Sequence, residues 1–156
     1  MRICKECIQP DTRPGIYFNS DGVCGACLWE HEKNDINWTE RESELLDIVS
    51  CAKSKKTSSY DCAIGVSGGK DSTWQVVKCL EYGLNPLCVT WKPIGRTKIG
   101  QQNLDNLINL GVDHIDFSIN PKIEKRFMLA ALKEFGATAL PMHMAIFNIP
   151  ITIALK

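Results

Sequence analysis

The chain has 156 residues, room for one ordinary domain or one domain with a small appended module. Its hydrophobic fraction of 44% is that of a soluble globular protein, and 18 Lys and Arg balance 18 Asp and Glu. Zero net charge argues against a broad basic face for nucleic acid, though not against a local patch. The N-terminus lacks the apolar stretch of a secretory signal. The most apolar tract, 137–155, is short and broken by His143, Asn148 and two prolines, so no membrane span is expected and the chain reads as cytoplasmic.

Along the chain, residues 1–30 are rich in Cys, Gly, Pro and Asp with little periodicity, and such a segment needs a staple to fold. Residues 38–53 read as a helix. Thr39 and Glu42 have capping-box spacing, and Trp38, Leu45, Val49 and Ala52 recur on one face. Residues 53–59 read as a polar linker. From Tyr60 the pattern alternates: a short apolar strand at 62–66, a helix at 72–82 closed by Gly83, and a strand at 87–91. A helix at 101–110 closed by Gly111, a strand at 114–118 and a helix at 123–135 closed by Gly136 follow, and the final apolar tract is helical. This order predicts right-handed crossovers and a doubly wound parallel α/β sheet. The expected organisation is a cysteine module over 1–36, a helix and linker over 37–59, and an α/β domain over 60–156.

The segment Gly65-Val66-Ser67-Gly68-Gly69-Lys70-Asp71-Ser72 lies where the first strand gives way to a helix. Ligands of open α/β sheets bind beyond the carboxyl ends of strands, and a helix N-terminus presents free N–H groups to an anion. Gly68 and Gly69 allow close backbone approach, Ser67 and Ser72 offer hydroxyls, and Lys70 adds positive charge. A Walker A loop is excluded because Asp71 follows Lys70, and a dinucleotide fingerprint lacks its third glycine. The alternative is a Gly-Ser turn that binds nothing.

Eight cysteines in a reducing compartment point away from disulfides. Cys4-x-x-Cys7 and Cys24-x-x-Cys27, sixteen residues apart, have the spacing of a Cys4 zinc ribbon, a closed structural site. An iron–sulfur cluster and uncoordinated thiols are the rivals. His31 reads as an exposed non-ligand. Cys51, Cys62, Cys79 and Cys88 lack ligand spacing, and Cys62 and Cys88 read as buried small hydrophobes. His143 reads as a partly buried, hydrogen-bonded residue, and Met142 and Met144 as core filling.

The Ser-Gly-Gly-x-Asp-Ser pattern at 67–72 resembles the signature of the PP-loop, or N-type ATP pyrophosphatase, superfamily, whose fold is of the adenine nucleotide alpha hydrolase-like type. That resemblance implies that Ser67, Gly68, Gly69, Lys70 and Ser72 hold the β- and γ-phosphates of ATP. Asp71 would help to hold Mg2+, with Asp71 and Lys70 as the catalytic pair, and Thr90 and Trp91 would meet the adenosine. A solvated strand end with an aromatic core residue is the alternative at 90–92.

The stretch Cys4-Lys5-Glu6-Cys7-Ile8-Gln9-Pro10-Asp11-Thr12-Arg13-Pro14, then Phe18-Asn19-Ser20-Asp21-Gly22-Val23-Cys24, resembles the start of the N-acetyl sugar amidotransferases of bacterial surface-polysaccharide pathways, and 140–150 looks like that family too. The resemblance implies ATP, Mg2+ and Zn2+ as cofactors and an N-acetyl sugar as substrate. The sugar's acetamido group would be adenylated and AMP displaced by ammonia to leave an acetamidino group. The ammonia would come from a separate glutaminase subunit, because no Gly-x-Cys-x-Gly nucleophile occurs here. Family members are longer, so the resemblance also implies that a further strand and the sugar-binding part lie beyond Lys156. A tRNA-thiolating PP-loop enzyme is the runner-up. The balanced charge counts against it, and Lys53, Lys55 and Lys56 form only a short basic run. A non-catalytic ATP- and zinc-binding module is the third reading.

Overall fold

A computed structural model describes residues 1–55 and 58–156. Part of the expected linker, and Lys56 of its basic run, therefore lie outside the described residues. The chain forms two compact units, Met1–Leu46 and Asp47–Lys156.

The first unit is built on two turns. In the first, the Cys4 N–H donates to Gln9 O (2.9 Å) and the Ile8 N–H to Cys4 O (3.2 Å), inside an antiparallel bridge between Ile3 and Pro10. In the second, Asn19 Oδ1 accepts from the Asp21 N–H (3.1 Å) and the Val23 N–H (2.9 Å), below a bridge between Phe18 and Cys24. This side chain mimics a backbone turn, as Asn does where a chain must reverse tightly. The Lys5 N–H donates to Gly22 O (3.1 Å) and ties the two turns together. Helix α1 (Gly25–Asn34) follows with Cys24 as its N-cap. It begins inside the segment read as irregular and buries no residue, so it has no apolar stripe to announce it. Cys4, Gly22 and Cys24 are the buried residues of this unit.

Helix α2 (Trp38–Ser54) begins one turn-step earlier than a Thr39 cap would have it. Asn37 Oδ1 accepts the Glu40 N–H (3.2 Å), so Thr39 lies within the first turn. Of the expected apolar face, Val49 is buried, whereas Trp38 and Leu45 are exposed.

The second unit alternates strand and helix: β1 (Cys62–Gly65), α3 (Lys70–Glu81), β2 (Pro86–Trp91), α4 (Lys98–Ile108), β3 (Asp113–Phe117), α5 (Pro121–Phe135) and α6 (Leu140–Ala154). The strands form a parallel sheet in the order β1-β2-β3, with Ile64 opposite Cys88 and Thr90 opposite Asp116. On one face Ile64, Val66, Val76, Cys88, Leu104, Leu107 and Val112 pack α3 and α4 against the sheet. On the other, Val89, Ala145 and Ile149 receive α6. The sheet is therefore an α/β layer covered on both sides, as expected. The strand order does not reverse among the described residues, because no described strand pairs with the outer edge of β1.

Gly83, Gly111 and Gly136 follow their helices at positive φ, as the sequence implied. Helices α4 and α5 start earlier than their apolar periodicity. Thr97 caps α4 by accepting the Gly100 N–H (3.0 Å), and Asn120 caps α5 by accepting the Lys122 N–H (3.0 Å) ahead of Pro121. Cys88 is fully buried, and burial pushes its thiol up to about 11; Cys62 is half-buried, its thiol pushed up to about 12 by burial first and by Cys79 second. In α6 the faces are not as read. His143 is exposed and Met144 is largely so, because the buried stripe of this helix runs through Pro141, Ala145 and Ile149.

Candidate functional site

Beyond β1 the Val66 N–H still donates to Val89 O (2.9 Å), and then the chain turns. Gly68 sits at φ +78°, and a Cβ there would lie 2.7 Å from Leu104 N and 2.9 Å from Asn103 C. The backbone of α4 thus demands glycine at this position independently of any ligand. The two serines brace the turn. Ser72 Oγ donates to Gly69 O (3.1 Å), and Ser67 Oγ accepts the Gly69 N–H (3.4 Å). Gly69 is the N-cap of α3 and no side chain caps this helix, so its first N–H groups have no side-chain acceptor, as an anion site requires. Lys70 and Asp71 are 87% and 84% exposed, with Nζ 2.6 Å from Oδ1, and do not line the neighbouring cavity.

A cavity of about 310 Å³ opens at the carboxyl ends of β1 and β2, lined by Gly65, Val66, Ser67, Thr90, Trp91 and Arg96 among others. Its size lies at the lower end for small-molecule sites. The structure brings Ser67, Thr90 and Trp91 to one cavity. Trp91 Nε1 is buried without a hydrogen-bond partner among the described residues. Thr90 is 6% exposed and donates its hydroxyl to Val66 O (2.7 Å). His114 Nε2 lies 2.8 Å from the same Oγ1.

On the cavity wall, Arg96 pairs with both oxygens of Asp116 (2.9 and 3.2 Å) and donates to Gln101 Oε1 (2.9 Å). This fork anchors the loop between β2 and α4 onto β3. Burial holds the His114 imidazole below its ordinary value, with Asp116 pulling it up and Arg96 pushing it down. The sequence reading missed Arg96, His114 and Asp116. The alternation of His114 and Asp116 along a strand is the signal that places both on one face.

In the first unit the four predicted ligands converge. The Sγ atoms of Cys4, Cys7, Cys24 and Cys27 all lie within 4.8 Å of one another. The separations are 3.9 Å from Cys4 to Cys27, 3.6 Å from Cys7 to Cys24 and 3.7 Å from Cys24 to Cys27. Sulfurs at about 2.3 Å from a central ion stand about 3.8 Å apart in a tetrahedron, so these distances fit a metal such as zinc. They are far too long for a disulfide. The backbone N–H of Cys7, then those of Cys24 and Glu6, lower the Cys4 thiol to about 6 against the opposing effect of burial. The Cys27 thiol is driven up, first by the Cys7 side chain and then by burial. Crowded sulfurs resist becoming anionic together, and a dication relieves that repulsion. His31 takes no part; its Nε2 pairs with Glu6 Oε2 at 3.2 Å. Cys51, Cys62, Cys79 and Cys88 lie outside the cluster.

No family model matches the sequence, and no curated protein matches it. The fold and the two sites therefore rest on their geometry: an α/β unit with a three-stranded parallel sheet, and a four-cysteine cluster able to hold a metal. No helix among the described residues is long and apolar enough to cross a membrane.

Proposed function

We propose that the chain binds Mg-ATP at the turn after β1 and activates the acetamido group of an N-acetyl sugar for amidine formation. The observation that carries the reading is the Ser-Gly-Gly-Lys-Asp-Ser segment at 67–72. It joins the end of β1 to an uncapped helix N-terminus beside a cavity lined by Thr90 and Trp91. In this reading the uncapped N–H groups of the first turn of α3 and Lys70 hold phosphates, and Asp71 holds Mg2+. Trp91, on the cavity wall, meets the nucleoside. The cysteine cluster is a structural zinc site rather than an iron–sulfur centre in this reading, because sulfurs that all lie within 4.8 Å of one another enclose room for one ion and not for a multi-iron cluster.

The chemistry the reading requires follows from the substrate. An amide carbon resists attack by ammonia until its oxygen becomes a good leaving group. ATP supplies that group: the amide oxygen takes the α-phosphorus and the bond to pyrophosphate breaks. Ammonia then adds to the imidate carbon, the bond to AMP breaks, and loss of a proton leaves the amidine. Ammonia reaches the site from a separate glutaminase.

The test is pyrophosphate release from Mg-ATP with a panel of nucleotide-linked N-acetyl sugars and ammonium. Sugar-dependent release that falls about 100-fold or more in Asp71→Ala is the expected result. Release that depends on tRNA instead would replace the sugar by a base carbonyl. Retention of full activity by Asp71→Ala would remove the phosphate loop from the mechanism.

A further inference from the structure

Thr90 has one hydroxyl proton, and the contact with Val66 O at 2.7 Å takes it, since a carbonyl can only accept. The oxygen of Thr90 is then the acceptor in the 2.8 Å contact with His114, so the imidazole carries its proton on Nε2. The result is a directed chain, His114 Nε2–H to Thr90 Oγ1–H to Val66 O. It runs across all three strands from β3 to the first residue beyond β1. Val66 C=O belongs to the peptide that begins Ser67, so whatever fixes this carbonyl fixes the plane from which the loop departs. Thr90 is 6% exposed, so its hydroxyl has no bulk water to exchange for these partners.

We propose that His114 and Thr90 are positioning residues for the turn at 67–69, and that the Thr90 hydroxyl serves the loop rather than the nucleoside. This rests on the ATP-binding reading for its functional consequence, but the mechanical claim stands on the three-strand chain alone. His114 touches no part of the turn itself. It acts by orienting the Thr90 rotor, and the rotor orients the peptide.

The experiment uses the full, zinc-loaded chain and two measurements: residue-resolved amide exchange at Ser67 and Gly69 without nucleotide, and Mg-ATP affinity by calorimetry. His114→Leu and Thr90→Val each break the chain. The expected result is about tenfold faster exchange at these two amides, and about tenfold weaker Mg-ATP binding. His114→Gln, whose amide can donate from the place of Nε2, and Thr90→Ser, which keeps the hydroxyl, should stay within about twofold of the parent in both. The double variant Thr90→Val with His114→Leu should be little worse than either single change, because one chain is broken once.

Loop exchange unchanged in His114→Leu, or equal damage from His114→Gln and His114→Leu, would overturn the proposal in favour of a packing role. If His114→Leu does not fold, the near-isosteric Thr90→Val carries the same comparison against Thr90→Ser. A parent protein that binds no Mg-ATP sinks the ATP reading, while the exchange data still decide whether His114 and Thr90 set the loop.

Discussion

Ile8 holds φ +57° directly after the Cys4–Cys7 pair, the left-handed region that β-branched residues avoid. The reason is local. The turn closed by the Ile8 N–H on Cys4 O brings the two sulfurs to one side, and the residue after Cys7 must bend away to do it. Ile8 is 82% exposed and gives up little packing if removed. Ile8→Gly should therefore stabilise the metal-bound first unit by about 1 kcal/mol, read as several-fold tighter metal retention in a chelator competition. Gly68 is the opposite case. Gly68→Ala forces a Cβ into the backbone of α4 as well as a strained φ, and should cost about 2 kcal/mol or more in a denaturant titration. The glycine pair was legible in the sequence as the turn between β1 and α3. Its packing against Asn103 and Leu104 was not, because nothing local says that α4 passes there.

At the scale of elements, the sequence carried what is local and periodic. Apolar runs marked β1 and β2, alternation of polar and apolar residues marked β3, and glycines marked the ends of α3, α4 and α5. Helix starts were less legible: Thr97 and Asn120 cap well ahead of the first buried apolar residues, Leu104 and Ala131, so periodicity sees the helix late. Helix α1 was hidden because it buries nothing. The Arg96–Asp116 fork and the His114–Thr90 contact join residues twenty or more positions apart and follow only from the parallel register of β2 and β3. That register has a consequence for acid stability. With its folded value held below the ordinary 6.5, His114 takes up a proton more readily in the unfolded chain. Its contribution is present above pH 6.5 and is lost as pH falls through the folded value. The unfolding midpoint should thus drop on acidification from about pH 7.5 to about pH 5.5, and His114→Gln should drop less. Equal slopes for the two proteins would mean that His114 titrates alike in both states.

The whole molecule consists of two units that reach stability by different means. Residues 47–156 bury two apolar clusters on opposite faces of a sheet, which is sufficient reason for that unit to hold without a metal. Residues 1–46 bury Cys4, Gly22 and Cys24 and little else, so the hydrophobic effect contributes little there. Two of those three buried residues belong to the four-cysteine cluster able to hold a metal. Removing the metal should leave four thiols at mutual distances that only a central cation favours, and no apolar core to keep them there. Chelation should therefore abolish amide protection in the two turns and α1 while β1, β2, β3 and the helices packed on them keep theirs. In hydrogen-exchange mass spectrometry the peptides covering 1–34 should move to full exchange within the shortest labelling time, and those covering 62–117 should not change. Restoring zinc should restore protection, since the turns at Ile8 and Asn19 are specified by sequence and need only the ion to hold them together. Protection of 1–34 that survives chelation would show that the two linked turns suffice by themselves, and that the cysteines serve something other than folding.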